Sequence, residues 1–450
     1  MPVRFLPVSF SCSVASLAMV VLAQGASAQT APSFEIGKRL ARSRYAYGYI
    51  GAAREIADGR VVVIDAKEGT FRLIDLAKGD DQLLGNQGTD AGDYQRASAI
   101  LPWIGDSLLL YDAPGHQALH LSPSGHIAGV APFTMPGRGF PQAADATGTA
   151  YVLSTTIDTT VHPPALKQTL NRVVSGSMQP VTTLAMMRRD QMIGNGRQAY
   201  PFRDAWAVRS SDGLVARVVA DTYQVIWYRD GQEIARSGAL PDQPIPITPA
   251  DEQAYKDSAT AAMKAMMGVG GRGTAGFGTG DVRIMGRGDV AGDKGAGGMA
   301  GGSVQMMTMT RDGSGNVTVT SGGPPDGARG GGAGGTTVID GRGAGGGRAM
   351  IIDPTKVPWA PFPATRPPIP AFGTVAMFDA NGLLWVERER PHGDQNPRYD
   401  VIAAGSGVVA HVELPANTRL VALGTYGVYV ARTDNDGEWL ERYALPKIPH

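Results

Sequence analysis

The chain has 450 residues, enough for one large domain or two ordinary ones. Its 41 basic and 41 acidic residues cancel, so no polyanionic partner is implied. Its single cysteine, Cys12, falls in a stretch that reads as a leader, which excludes disulfides, thiolate metal sites and cysteine nucleophiles from the mature chain.

That leader is residues 1–28. Arg4 supplies its positive end, Val14 to Ala23 its apolar run, and Ala26-Ser27-Ala28 a small-x-small cleavage site that leaves Gln29 first. The apolar run is shorter than the roughly 20 residues of a membrane span, and no second stretch of spanning length follows. Ser9-Phe10-Ser11 before Cys12 does not fit a lipoprotein site. The mature chain is expected to be extracytoplasmic, either periplasmic or secreted, with no membrane span.

From there the sequence repeats one pattern. In Asp58 to Leu76, DGRVVVIDAKEGTFRLIDL, a polar turn leads into a β-branched run, and a second turn leads into another apolar run. Similar turns open apolar runs at Gly105, Gly148, Gly213, Gly382 and Gly427. Measured from Gly59, the steps between these marks are 46, 43, 65, 169 and 45 residues. Three steps match the roughly 40–50 residue period of propeller blades. Short strands precede the marks: Ala53 to Ile56, Ala99 to Trp103, Pro141 to Ala144, Ala205 to Val208, Val375 to Phe378 and Leu420 to Leu423. Hairpins follow at Ser124-Gly125, Asp230-Gly231 and Gly405-Ser406. The expectation is an all-β chain, a six-bladed β-propeller of four-stranded antiparallel blades.

The last unit stops one strand short. Ser33 to Leu40, outside the first unit, is free to supply it. Phe34 and Ile36 alternate with Glu35 and Gly37 as a half-buried strand does. Residues 268–349 differ in kind, holding 30 of the 61 glycines. Such composition buries too little apolar surface to offset the entropy of ordering, so a disordered Gly/Met-rich insertion is expected. Before it, Thr248-Pro249-Ala250-Asp251 caps a short helix that runs to Gly268. After it, Pro354 to Pro370 reads as an extended return. The expected organisation is a signal peptide at 1–28, a first propeller part at 29–267, the insertion at 268–349 and the final blades at 350–450.

DGRVVVID, LGNQGTDAGDYQ (84–95), GDSLLLYD and LGTYGVYVARTDNDGEWLERYAL resemble secreted bacterial six-bladed β-propeller proteins of the NHL and TolB-like type. The likeness covers 50–130 and 200–450 without the insertion. Asp90-Ala91-Gly92 stands where that type usually has Gly-Pro-Gly. The resemblance implies a fold and says little about activity.

The candidate chemistry is thin. His116 and His120 are four apart, but on a strand entry that spacing does not converge on a metal as it does on a helix. Asp434-Asn435-Asp436-Gly437-Glu438 has the look of a calcium loop, yet Arg432 stands where the first ligand would be, and a hairpin turn fits better. Met263, Met266, Met267, Met299, Met306, Met307 and Met309 offer thioethers to Cu(I), or simply adaptable filler. The Gly-Arg repeats at 271–273, 286–288 and 341–343 resemble RNA-binding tracts, but the export signal and Asp281, Asp289 and Asp293 speak against nucleic acid. A lactonase-like site would need carboxylates on inner strands. Glu55, Asp145 and Asp204 are the candidates, with Arg54 and Arg203 beside two of them as rim ion-pair partners.

No catalytic, metal-binding or cofactor-binding residue is assigned from the sequence, and no cofactor is implied. The reading is a monomeric, non-catalytic propeller that holds a protein or small-molecule ligand at one rim. The alternative is a metal-dependent, lactonase-like hydrolase with its site in the central channel.

Overall fold

The computed structural model describes residues 31–133, 135–136, 140–158, 165–185, 199–269, 307–311, 317–321, 337–338, 350–351, 358–371, 373 and 375–448. Two short strands come first, β1 (Ser33–Glu35) and β2 (Arg39–Arg42). Blade 1 follows as β3 (Ile50–Glu55), β4 (Val61–Asp65), β5 (Thr70–Asp75) and β6 (Asp80–Leu83). Blade 2 is β7 (Ala97–Pro102), β8 (Leu108–Asp112), β9 (Gln117–Leu121) and β10 (Ile127–Pro132). Blade 3 is β11 (Ala143–Ala144), β12 (Ala150–Asp158), β13 (Ala165–Val174) and β14 (Ser177–Leu184). Blade 4 is β15 (Ala205–Val208), β16 (Val215–Val219), β17 (Gln224–Arg229) and β18 (Gln232–Arg236).

Helix α1 (Pro249–Val269) leaves blade 4. Thr248 caps it: its hydroxyl accepts from the Asp251 amide at 3.2 Å, and Asp251 accepts from the Thr248 amide at 2.8 Å. Within 268–351 two short antiparallel pairs are described, β19 (Met307–Arg311) with β20 (Val317–Ser321) and β21 (Thr337–Val338) with β22 (Met350–Ile351). The expectation of disorder for the remainder of 268–349 lies outside the described residues. Blade 5 is β23 (Ala376–Phe378), β24 (Leu384–Glu387), β25 (Arg398–Ile402) and β26 (Val408–Glu413). Blade 6 has β27 (Thr418–Leu423), β28 (Val428–Asp434) and β29 (Gly437–Tyr443).

The strands of blades 1 to 5 and β27 to β29 of blade 6 run antiparallel to their neighbours in sequence order. The first strands touch in a closed circuit, β3 to β7, β11, β15, β23, β27 and back to β3. The chain is a six-bladed β-propeller. Each 1–2 turn sits on one rim. Because strands alternate in direction, the 2–3 turns and the connections between blades fall on the other. Helix α1 and the Pro-rich return therefore share the second rim.

Why the sheets close into a ring follows from their burial. Val61, Val62 and Val63 are all fully buried, so both faces of blade 1 are covered. Val62 faces blade 2 with Leu73, Leu110 and Leu119, whereas Val61 and Val63 face blade 6 with Tyr429, Ala431 and Leu440. The described apolar clusters fall one to each of the six seams, with fully buried Trp227 between blades 4 and 5 and Trp385 between blades 5 and 6. A sheet buried on both faces needs a neighbour on each side, and a ring gives every blade two. The turn glycines make the close approach possible. Gly59 and Gly148 have φ of +85° and +87°, and Tyr426 and Ile104 of the preceding blades lie against them.

The ring closes through the N-terminal segment, but not along the strand expected from the sequence. Blade 6 is completed by β2, antiparallel to β29, with Ala41 opposite Arg442. Phe34 belongs instead to β1, which adds a fifth strand to blade 5, parallel to β26, with Ser33 opposite His411. Ile36, just after β1, is buried in the seam between blades 5 and 6. One short segment thus bridges two blades. The wide step between Gly148 and Gly213 reflects the long strands β12 and β13 of blade 3, and the longest step holds α1 and the 268–349 tract.

Removing residues 29–42 should take away the outer strand of blade 6, uncover part of the seam that holds Ile36, and leave β29 and β26 as open edges. Equilibrium denaturation should show a loss of several kcal/mol, from roughly 1.5–3 kcal/mol per large apolar side chain uncovered. An unchanged midpoint with a monomeric truncated chain would rule this closure out.

Candidate functional site

A closed ring leaves one concave feature that all six blades share, the axial channel bounded by β3, β7, β11, β15, β23 and β27. The carboxylates singled out from the sequence sit on or beside these strands, and the structure ties each into the scaffold. Glu55 ends β3, and its Oε1 accepts from the Thr425 amide at 2.7 Å. The Tyr426 amide lies 3.0 Å from Oε2, and the Tyr429 hydroxyl donates to Oε2 at 2.5 Å. Glu55 therefore pins blade 1 to the first turn of blade 6. Asp145 ends β11 and closes its own turn, accepting from the Thr147 and Thr149 amides at 2.9 and 3.1 Å. The Tyr151 hydroxyl reaches both Asp145 and the Gly213 carbonyl, at 3.2 and 3.1 Å, linking blades 3 and 4. Asp204 pairs with Arg217 at 2.5 Å and accepts from the Ala185 and Ala220 amides. These three do not converge. Among the described residues no group of three His, Cys, Asp or Glu side chains stands close enough to share a metal ion.

Arg54 departs from expectation. It does not pair with neighbouring Glu55, which turns to blade 6. It stands half-buried on β3, opposite fully buried Val62. Burial alone pushes its pKa down to about 10, and no carboxylate among the described residues offsets that. Arg203 is likewise half-buried.

His120 serves the scaffold. His120 Nε2 lies 3.0 Å from the Ser107 hydroxyl. That hydroxyl donates its one proton to the Ile104 carbonyl at 2.7 Å, so it can only accept from His120. His116 has φ of +49° in the β8–β9 turn. Asp434 to Gly437 forms the β28–β29 turn, where Asp434 accepts from the Asp436 amide and from Arg42. The Gly-Arg repeats, Met299 and Met306 lie outside the described residues, as do the side chains of the remaining methionines in that group.

Two clusters carry no signal in the sequence. In the first, Asp400 on β25 meets His411 Nδ1 at 2.7 Å and Arg388 at 2.9 Å, and also accepts the Tyr223 hydroxyl from blade 4. Burial works against its ionisation, but His411, Arg388 and Tyr223 outweigh burial and hold the carboxyl below its usual range. Tyr223 and Asp400 are 177 positions apart, so spacing could not have found them. In the second, Tyr200, Tyr255, Trp359 and Phe362 stack on the second rim with ring centroids 4.6–6.3 Å apart. Buried Arg366 beneath them bridges Asp251 of α1 and Glu389. This packing fastens α1 and the Pro-rich return to the propeller.

No family model matches the chain, and no curated protein matches it. Solved structures do. One is the calcium-binding protein regucalcin of Agrobacterium tumefaciens, at 10% identity and TM-score 0.35, covering 93% of this chain and 98% of that one. Another is a Bacteroides vulgatus member of the DUF4221 family, at 7% identity and TM-score 0.42, covering 91% and 96%. A third is virginiamycin B lyase of Staphylococcus aureus, at 11% identity and TM-score 0.35, covering 91% and 99%. The blade count rests on the strand order and the closed circuit above, not on these likenesses.

Two outcomes follow. Glu55→Ala leaves two amides and a phenol without their acceptor, and should cost about 2–4 kcal/mol in chemical denaturation; a cost below about 0.5 kcal/mol would mean that Glu55 does not pin blade 6. The second concerns acid. Hydrogen bonding to Arg209, against the opposing effect of burial, holds Asp212 down at about 2, and Asp400 is depressed as well. Carboxyls whose folded pKa is lowered stabilise fully above the ordinary value of about 4 and lose that contribution as pH falls toward 2. The denaturation midpoint should be flat above about pH 5 and fall between pH 4 and 2. Asp212→Asn should flatten part of that fall, and an unchanged slope would exclude the Arg209 pair as its source.

Proposed function

We propose that the chain is a non-catalytic, extracytoplasmic propeller that binds a ligand or partner at its channel and second rim, and exerts no chemistry on it. The observation behind this reading is the fate of the inner-strand carboxylates. Glu55, Asp145 and Asp204 each accept hydrogen bonds from backbone amides, a tyrosine or an arginine of the scaffold. A general base or metal ligand needs lone pairs free to face a substrate. These three have committed theirs to the scaffold, Glu55 between blades 6 and 1, and Asp145 and Asp204 at opposite ends of the seam between blades 3 and 4.

The second rim supports the same reading. Apart from residues 414–417 between β26 and β27, the connections from one blade to the next are longer than the first-rim turns, and α1 with its aromatic cluster lies there. Longer connections on a rigid scaffold are where binding residues concentrate. The regucalcin-like and lyase-like solved structures share the fold, and their printed activities do not transfer at this identity. The 1–28 leader is the basis for placing the protein outside the cytoplasm. No helix among the described residues is long and apolar enough to cross a membrane.

Elemental analysis of the purified mature protein, after dialysis against a weak chelator, tests the reading. The expected result is less than one-tenth of an equivalent of any divalent metal. A tightly held ion at one equivalent would overturn it and favour the hydrolase alternative in the channel.

A further inference from the structure

We propose that the axial channel binds a small organic monoanion, a carboxylate on an apolar body, with Arg54 as its anchor. The proposal rests on the binding-protein reading above and names the ligand's chemistry.

The geometry begins with the repeat. Arg54 lies five residues before the turn glycine Gly59. Arg54 also stands two residues before Ile56, whose amide closes the first turn on the Arg60 carbonyl, and at the same register in blades 2 to 6 stand Leu101, Ala143, Ala207, Met377 and Ala422. All six sit on innermost strands, and the shared register sets them at one level of the ring. Five are apolar and one is a guanidinium. Ala143 and Met377, like Arg54, keep part of their surface exposed, whereas Leu101, Ala207 and Ala422 are buried. In a closed ring, the solvent that the middle of an inner strand borders is the channel.

Arg54 is also without a protein partner among the described residues. Burial is the sole influence on its pKa, with neither hydrogen bond nor nearby charge contributing. Its neighbours on the same face of β3, Ala52 and Ile56, pack into the apolar seam between blades 1 and 2. By contrast Arg72, Arg217, Arg366, Arg388 and Arg419 each hold a carboxylate. A cation taken partly out of water without compensation weakens the fold. Such a group, kept where an apolar wall surrounds it, is the mark of a site completed by its ligand. The guanidinium fork matches a carboxylate through two parallel hydrogen bonds. With one cation at this level, a monoanion balances the charge. The apolar ring favours an apolar body over a sugar or an inorganic ion.

Isothermal titration of the mature protein with octanoate tests this, with acetate and octanol as probes lacking the body or the charge. Saturable binding of one octanoate per chain is expected, with acetate and octanol at least tenfold weaker. Arg54→Met should weaken octanoate at least tenfold, and Arg54→Lys should recover part of the affinity. Because the change removes an uncompensated charge, the thermal midpoint of Arg54→Met should equal or exceed that of the parent. The inference is overturned if the parent does not bind octanoate, if octanol binds as tightly, or if Arg54→Met binds octanoate within twofold of the parent. It is overturned as well if Arg54→Met melts several degrees lower, since that would reveal a structural partner for Arg54. Metal analysis of the same preparation separates the two failures. A stoichiometric divalent ion would overturn the binding-protein reading itself, whereas absent octanoate binding in metal-free protein overturns only the choice of ligand.

Discussion

Every blade of this protein is a sheet with two apolar faces, and neither face can be buried without a neighbour. That constraint organises everything else. Val61 to Val63 alternate between two seams, and the same division recurs around the ring, with a described apolar cluster at each seam. A stack of six such sheets would leave two uncovered faces, whereas a ring leaves none. The polar interactions then act as fasteners between blades. Glu55 accepts from the first turn of blade 6, Asp400 takes the Tyr223 hydroxyl of blade 4, and Arg419 holds both the Ile50 carbonyl and Glu438.

Closure depends on the first two described strands, which pair with the last two blades. β2 completes blade 6, and β1 adds an edge to blade 5, with buried Ile36 in the seam between those blades. Joining the chain ends through strand pairing on two adjacent blades ties the ring at its one covalent gap. It also places the cut inside blade 6, between β29 and β2, while residues 43–49 run on into blade 1 past Tyr47, whose amide donates to the Glu438 carbonyl at 2.7 Å.

Much of this was legible in the sequence, and the reasons are local. The turn glycines marked all six blades. Those with left-handed φ, such as Gly59 and Gly148, occupy a conformation that glycine tolerates best. The strands before them fell within a few residues of β3, β7, β11, β15, β23 and β27. The Thr248 cap and the hairpin at Asp434 to Gly437 were equally local and equally readable. What failed was partner choice. The alternation of Phe34 and Ile36 announces a strand with a buried side but cannot say which of two adjacent blades receives it. Glu55, Asp145 and Asp204 resembled channel ligands because sequence placed them at inner-strand ends. Several of their partners are backbone amides, which leave no trace in residue identity. Arg54 was read as an ion-pair partner because Glu55 is adjacent, yet adjacent residues on a strand point to opposite faces. The aromatic cluster under α1 joins Tyr200 to Trp359 across the 268–349 tract, a distance no periodicity spans.

The closure scheme is open to a direct covalent test, because Cys12 is the chain's only native thiol. With Cys12 replaced by serine, a chain carrying Ala41→Cys and Arg442→Cys has its two thiols on register partners of adjacent strands. Neighbouring strands at this spacing bring paired Cα atoms within the roughly 4.4–6.8 Å that a disulfide tolerates. Mild oxidation of the native monomer should give rapid, near-complete intramolecular crosslinking, while a Phe34→Cys and Arg442→Cys chain should not crosslink. The reverse result would put the β1 segment on the edge of blade 6 and contradict closure through β2.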